Sequence, residues 1–165
     1  MRYWVVKGNP IRNDFDEYLV PGKKDRWETK KPPKDWLPND RLFFWKSSPS
    51  KCLIGLGTLD KILSKDKNGF TFFDLTYLTY PFKNPIFIDE LRKEDVLKDV
   101  SFLKSGPSGT VFPITETQAK RMYEVILNKN NINNLWDDLI SIYSRNQKVI
   151  EYVANDISEP PSGLM

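Results

Sequence analysis

Apolar and polar residues alternate with different periods in the two halves of the chain. Tyr3-Trp4-Val5-Val6 is a short run of aromatic and β-branched residues, which predicts a buried strand, and Gly8-Asn9-Pro10 stops it. Ile11, Phe15, Tyr18 and Leu19 recur at helical spacing, predicting a short helix over 11–20 that Pro21-Gly22 breaks. Residues 21–40 read as a long polar connection, rich in Lys and Pro, that carries Trp27 and Trp36. Asn39-Asp40 then turns into a second strand over Arg41–Lys46, and Ser47-Ser48-Pro49-Ser50 forms a loop. A third strand runs over Cys52–Leu59, where Gly55 and Gly57 mark a bulge or a close backbone approach. Lys67-Asn68-Gly69 is a hairpin turn signal leading into a long aromatic strand over 70–80, and Pro81 and Pro85 punctuate the chain after it.

The last third has helical periodicity. Thr115-Glu116-Thr117-Gln118 has capping-box spacing and opens a helix through Ala119, Met122, Tyr123, Ile126 and Leu127. Asn130 to Asn134 interrupts it. Leu135, Leu139, Ile142, Tyr143, Val149, Ile150 and Val153 then predict a further amphipathic helix, in one piece or two. Strands before helices argue for an α+β fold: five or six strands in a curved sheet or small β-barrel, flanked by helices, with a C-terminal helical extension. The organisation read from this pattern is a domain over 1–128, a helical extension over 129–157, and a Pro/Ser/Gly tail over 158–165 that reads as a linker.

Composition narrows the chemistry. The chain has 165 residues, 39% of them apolar, which suits one sizeable core and excludes a disordered polypeptide. No apolar run approaches the ~18–20 residues of a membrane span, and Met1 to Lys7 is too short to read as a signal peptide. A single cysteine, Cys52, fits a reducing cytoplasm. The absence of histidine removes Ser-His-Asp and Cys-His nucleophile systems and most zinc sites. There is no phosphate-cradling glycine loop, and Asp89-Glu90 and Glu94-Asp95 read as an ordinary solvated face. The expectation is a binding protein with no catalytic residue, metal or cofactor.

Charge is unevenly spread. Residues 1–51 hold 12 Lys/Arg against 7 Asp/Glu and four of the five tryptophans, whereas the rest of the chain is balanced or slightly acidic. Cations beside flat rings suit nucleic acid, since Lys and Arg attract phosphate and rings stack on bases. A solvated lysine-rich surface has the same composition.

Three segments, in order, resemble the EVE and YTH domains of the PUA-like superfamily. They are the opening strand ending in Lys7-Gly8-Asn9-Pro10, then Trp27 in the loop after it, then Asp40–Ser47 with Leu53-Ile54-Gly55-Leu56-Gly57. Gly106-Pro107-Ser108-Gly109-Thr110-Val111-Phe112-Pro113-Ile114-Thr115, ahead of a helix, also matches the pattern. The resemblance implies a reader of modified bases that takes an extruded, methylated base into an aromatic pocket. It places Trp27 as a pocket wall and Lys7, Gly8, Asn9 and Ser47 at the pocket. YTH domains bring a second cage tryptophan from the loop before their long strand, but here that loop is Ser64-Lys65-Asp66-Lys67-Asn68-Gly69. Trp45 and Tyr80 are the nearest substitutes for the second wall, and the departure favours EVE over YTH.

Each assignment has a structural alternative. Trp27 is a pocket wall or a ring packed over the sheet edge. Trp45 is pocket or core, Trp4 reads as core, Trp36 as a loop anchor and Trp136 as packed. Lys23, Lys24, Arg26, Lys30, Lys31 and Arg41 form a phosphate track or a solvated surface. The implied partner is nucleic acid carrying a modified base, DNA rather than RNA, with no membrane contact. The resemblance extends to the specificity module of methylation-dependent restriction systems of the McrB type, where an AAA+ GTPase and a nuclease partner follow. A standalone EVE protein, an RNA reader of methylated adenine, and an enzyme on the same barrel are the alternatives. On this reading Trp27→Ala removes base discrimination and leaves the fold intact.

Overall fold

Two-residue alternation on the central strands buries both faces of one sheet. The computed structural model describes residues 1–8, 14–104 and 109–139. Its strands are β1 (Tyr3–Gly8), β2 (Lys24–Thr29), β3 (Arg41–Lys46), β4 (Cys52–Lys65), β5 (Thr71–Tyr77), β6 (Ile86–Phe87) and β7 (Val111–Ile114). The helices are α1 (Phe15–Tyr18), α2 (Ile88–Arg92) and α3 (Glu116–Lys129), with 3₁₀ turns at Ser101–Leu103 and Asp137–Leu139. The strand order is β2-β5-β4-β3-β1-β7, with β6 added to the start of β4. Only β1 and β3 run parallel among the paired strands described. The path is open, ending in β2 on one side and β7 on the other. The α+β expectation holds as a curved sheet and not as a closed barrel.

One face packs under the helices. Tyr3 and Val5 of β1, Phe43 and Trp45 of β3, and Leu53 and Leu56 of β4 meet Leu91, Met122, Tyr123 and Ile126 there. The opposite, inner face joins Trp4, Val6, Leu42, Phe44, Phe73, Leu75 and Tyr77 to Phe15, Leu19, Trp27 and Trp36. A register shift between Phe44 and Trp45 leaves Ile54 as an extra residue on β4. That bulge keeps Leu53 and Leu56 on the helix side although they are three positions apart. Glycine at 57 is dictated by contact: a Cβ there would lie 2.6 Å from the Phe44 ring and 2.8 Å from the Thr76 carbonyl oxygen.

β2 corrects the reading of 21–40 as a wholly polar connection. Trp27 and Thr29 point inward while Lys24, Arg26 and Glu28 point out, so the strand alternates, but Trp27 is its single apolar residue. Backbone pairing with β5 supplies what apolar burial does not. The acidic pairs are corrected in part: Asp89 and Asp95 are exposed, but Glu90 and Glu94 are engaged. Glu94 takes two hydrogen bonds from Arg121 (2.7 and 2.8 Å), and Glu90 takes Lys129, so these carboxylates fasten α3 to the segment around α2. The Arg121 hydrogen bonds hold the Glu94 carboxyl below its ordinary range. The capping box at α3 forms as expected, with Thr115 and Gln118 exchanging side-chain to backbone hydrogen bonds. Asn9, Ile11, Gly106 to Ser108, the helix expected through Ile142 to Val153, and the tail 158–165 lie outside the described residues.

A buried carboxylate ties the start of the sheet together. Asp40 is 2% exposed and accepts from the Arg2 N–H (3.0 Å), the Trp4 Nε1–H (2.9 Å) and the Leu37 N–H (2.8 Å). Asp40→Ala strips these donors of their acceptor. The Trp4 indole N–H is buried and the two backbone donors partly so; a buried unsatisfied donor costs ~1–3 kcal/mol, so the variant is expected to lose ~1–3 kcal/mol in urea unfolding. A loss no larger than the ~0.5 kcal/mol of an ordinary surface substitution would remove Asp40 from this role.

Candidate functional site

The two ends of the strand path define a seam. A cleft of about 700 Å³ opens there, with Asp25 to Thr29 of β2 on one side and Lys7, Gly109 and Thr110 on the other. Tyr18, Phe70 and Phe72 contribute rings to its wall. A second cleft of about 510 Å³ continues along the same seam between the 31–35 segment and β1–β7, and Lys31 lines both.

Trp27 forms the floor and is held on several sides. Its indole stacks on Phe15 at 5.5 Å with a 19° angle between the rings, and it tilts against Phe44. Its Nε1–H donates to the Tyr77 hydroxyl at 3.0 Å, and that hydroxyl donates to Asp25 at 2.6 Å. Burial, reinforced by the Asp25 carboxylate, drives the Tyr77 phenol far above its ordinary range, so it stays a proton donor at any physiological pH. Gly8 makes room for this arrangement, since a Cβ there would sit 2.4 Å from Phe15 and 3.1 Å from the Trp27 ring. Trp27 is therefore both a packed ring and a cleft residue, with 7% of its surface exposed.

Cations crowd the rim. Lys7, Lys23, Arg26, Lys30 and Lys31 line the cleft against the acids Asp25 and Glu28. The Lys23 ammonium lies 5.4 Å over the Tyr18 ring, Lys30 lies 5.0 Å over Phe70, and Lys7 lies 5.8 Å over Phe112. Arg26 is already engaged: it makes a two-point contact with Asp74 at 2.7 and 3.1 Å, which raises the guanidinium and lowers the carboxyl. Burial, and then the Lys51 charge, push the Lys7 ammonium below its ordinary range.

Several expected site residues lie elsewhere. Trp45 is 2% exposed on the helix-side face, edge-on to Phe102, so it is core and not the second wall. Strand parity decides this, because Trp45 shares its face with Phe43 and opposes Phe44. Tyr80 is 67% exposed beyond β5 and is not among the residues that line the cleft. Arg41 stands at the far end of β3, bonded to Asp138 at 2.5 Å and stacked over Trp136, which makes it structural. Lys24 points to Asp60 and Thr76 on the outer face of β5 and β4. Ser47 donates its hydroxyl to the Gly8 carbonyl at 3.1 Å and closes the end of β1 instead of facing the cleft. Tyr18, Phe70 and Phe72 were missed. Phe70 and Phe72 sit in the predicted aromatic strand, and their exposure on alternate positions is the signal that marks them.

The cleft offers ring faces and ammonium groups and suits binding a flat, anionic ligand. Among the described residues, no three Cys, Asp or Glu side chains gather where they could hold a metal ion. No helix of the described residues is long and apolar enough to cross a membrane.

Residues 2–125 match the EVE domain family, and the chain belongs to it. Solved structures share the fold. A crystal structure of a Pseudomonas syringae protein superposes with TM-score 0.63 at 19% identity, covering 75% of this chain and 99% of that one. A hypothetical protein from Leishmania major gives 0.64 at 13% identity, over 78% and 96%. An ASCH protein from Zymomonas mobilis gives 0.53 at 16% identity, over 75% and 95%. No curated protein matches the chain. EVE domains are generally binding domains, and membership of this family suggests a nucleic-acid-binding module.

The packing of Trp27 overturns the expectation that Trp27→Ala leaves the fold intact. Truncating a buried Trp costs ~3–5 kcal/mol, so this variant is expected to be strongly destabilised. Tyr77→Phe removes the acceptor of the indole N–H and should cost ~1–3 kcal/mol while shifting the Trp27 Nε1–H resonance. An unmoved resonance would show that the indole is not anchored through Tyr77.

Proposed function

We propose that the seam cleft takes up a modified base extruded from a nucleic-acid strand, without catalysing any reaction on it. The observation that supports this most is the combination, in one cleft, of a rigidly held indole, three further rings and a basic rim. Stacking is worth ~1–3 kcal/mol per base, and a methyl group adds only ~0.8 kcal/mol of burial. Extrusion costs a few kcal/mol. Rings, hydrogen bonds and phosphate contacts must therefore act together, as the lining allows. In this reading Trp27 is the floor, Tyr18, Phe70 and Phe72 are the accessible faces, and Lys23, Lys30 and Lys31 with Lys7 meet the strand. Gly8 and Ser47 shape the end of β1, and Asn9, next to Gly8 in sequence, belongs to the same proposal.

The strand is DNA and the base methylated, in keeping with the resemblance to the specificity module of McrB-type restriction systems, where an AAA+ GTPase and a nuclease partner act downstream. The sequence likeness supports that context. An RNA reader or a standalone EVE protein with another ligand would use the same cleft.

A panel of duplexes carrying N6-methyladenine, 5-methylcytosine or 5-hydroxymethylcytosine, with unmodified duplexes and matching RNA, tests the reading. One modified duplex should bind more tightly than its control. Phe70→Ala, at a half-buried position, should weaken binding of the preferred duplex about fivefold or more, the equivalent of one ~1–3 kcal/mol stacking contact. Equal affinity across the panel would sink the base-reading assignment. Incubation with modified duplex, GTP, ATP and Mg²⁺ should yield neither phosphate release nor strand scission. Turnover that disappears on mutating a carboxylate of this chain would instead make it an enzyme.

A further inference from the structure

Asp25 stands in the cleft among cations that leave it unpaired. It shares the lining with Lys7, Lys23, Arg26, Lys30 and Lys31. Among the described residues none of these forms an ion pair with it, whereas Asp60 and Asp74 on the adjoining strands take Lys24 and Arg26. Uncharged donors hold the carboxylate instead. The Tyr77 hydroxyl donates to Oδ2 at 2.6 Å and the Arg26 backbone N–H to Oδ1 at 2.8 Å. Asp25 also has the parity of Trp27 and Thr29 on β2, so it turns to the inside of the sheet while Lys24, Arg26 and Glu28 alternate outward.

The direction of these hydrogen bonds is fixed. An indole N–H can only donate, so the Tyr77 oxygen accepts from Trp27 at 3.0 Å and sends its own proton to Asp25. The chain ends in a group that can only accept, and each carboxylate oxygen has room for a second donor. At the indole Nε1 edge of the floor the cleft therefore presents an oriented acceptor that no cation neutralises. A flat ligand lying on the indole turns its rim, not its face, toward a group at that edge. We infer that Asp25 is the specificity-determining residue of the cleft, its carboxylate accepting an N–H from the exocyclic amino group of the stacked base. The cleft then takes adenine- or cytosine-type bases and rejects a base that carries no hydrogen there. N6-methyladenine and 5-methylcytosine keep an amino hydrogen, and N6,N6-dimethyladenine does not. The inference rests on the reading of the cleft as a base site and is independent of whether the base is modified.

Thymine strands with a single test position measure this. One series carries adenine, N6-methyladenine, N6,N6-dimethyladenine or unsubstituted purine there, and the other carries cytosine, 5-methylcytosine or 2-pyrimidinone. In the series the cleft prefers, loss of the last amino hydrogen should weaken wild-type binding about tenfold or more, as for a hydrogen bond to a charged acceptor. Asp25→Asn keeps the shape but introduces N–H donors, and should shrink that preference to about twofold or less. Tyr77→Phe leaves the carboxylate in place but unheld, and should give an intermediate preference. If Asp25 only braces Tyr77, both variants loosen the floor and weaken every strand alike, with the amino preference unchanged, and the proposal fails. Equal wild-type affinity for adenine and purine, and for cytosine and 2-pyrimidinone, overturns it whether or not the variants fold. A preference for the methylated base without amino dependence would retain modified-base reading and reject the role of Asp25. Amino dependence with no preference for the methylated base would do the reverse. If none of the strands binds, both readings fall.

Discussion

The parallel pairing of β1 with β3 is the constraint on which the rest of this molecule depends. Parallel neighbours cannot be joined by a tight turn, so the chain must leave the end of β1 and travel back to the end of the sheet where β1 began before it can start β3. The returning segment contains α1, β2 and the 31–40 stretch, which together supply the floor and one bank of the cleft. Both ends of the pair are pinned. At the start, the Asp40 carboxylate gathers the N–H groups of Arg2 and Leu37 and the Trp4 indole. At the finish, Ser47 closes on the Gly8 carbonyl. Between these pins the register Tyr3↔Arg41 to Gly8↔Lys46 has no freedom to slip.

That route also explains why the sheet stays open. β2 pairs with β5 and β7 with β1, and nothing among the described strands joins β2 to β7. An open seam exposes apolar interior unless something fills it, and here the Trp27 indole does so, backed by Phe15 and tethered through Tyr77 to Asp25. Filling a gap and offering a binding floor make the same demand, a flat ring held rigid. The side chains free to adapt stand around it: half-buried Tyr18, Phe70 and Phe72, and exposed lysines.

The legible part of the fold was the part whose burial is apolar. β1, β3, the first half of β4, the aromatic strand β5 and the capped helix α3 all announce themselves by period, composition or cap. β2 does not, because a strand with one apolar residue is stabilised by backbone pairing that leaves no trace in hydropathy. The site was half legible. Trp27 stood out as an aromatic among charges, which located the cleft, but Lys24 turns away to Asp60 and Arg26, at the rim, is held by Asp74. Trp45 was misplaced because Phe43-Phe44-Trp45 is apolar at every position, so its facing depends on parity fixed by tertiary contact. Arg41 was misread because its partner, Asp138, lies 97 residues away. A charge count carries no information on such pairing.

The same point governs what the basic excess of the first third means. A surplus of Lys and Arg in a segment is not a field until the carboxylates brought in by the fold are subtracted. Asp60, Asp74 and Asp138 come from later in the chain and neutralise Lys24, Arg26 and Arg41. The cations left over are not scattered. Lys23 and Lys30 lie over rings of the cleft wall, and Lys7 lies over Phe112. An ammonium over a ring keeps its charge without a counter-ion, while a paired ammonium has to give up its carboxylate before it can take a phosphate. Lys7, Lys23 and Lys30 keep their charge beside rings and line the same opening as Tyr18, Phe70 and Phe72. Aromatic faces and cations meet at the seam because that is where the strand path ends without closing.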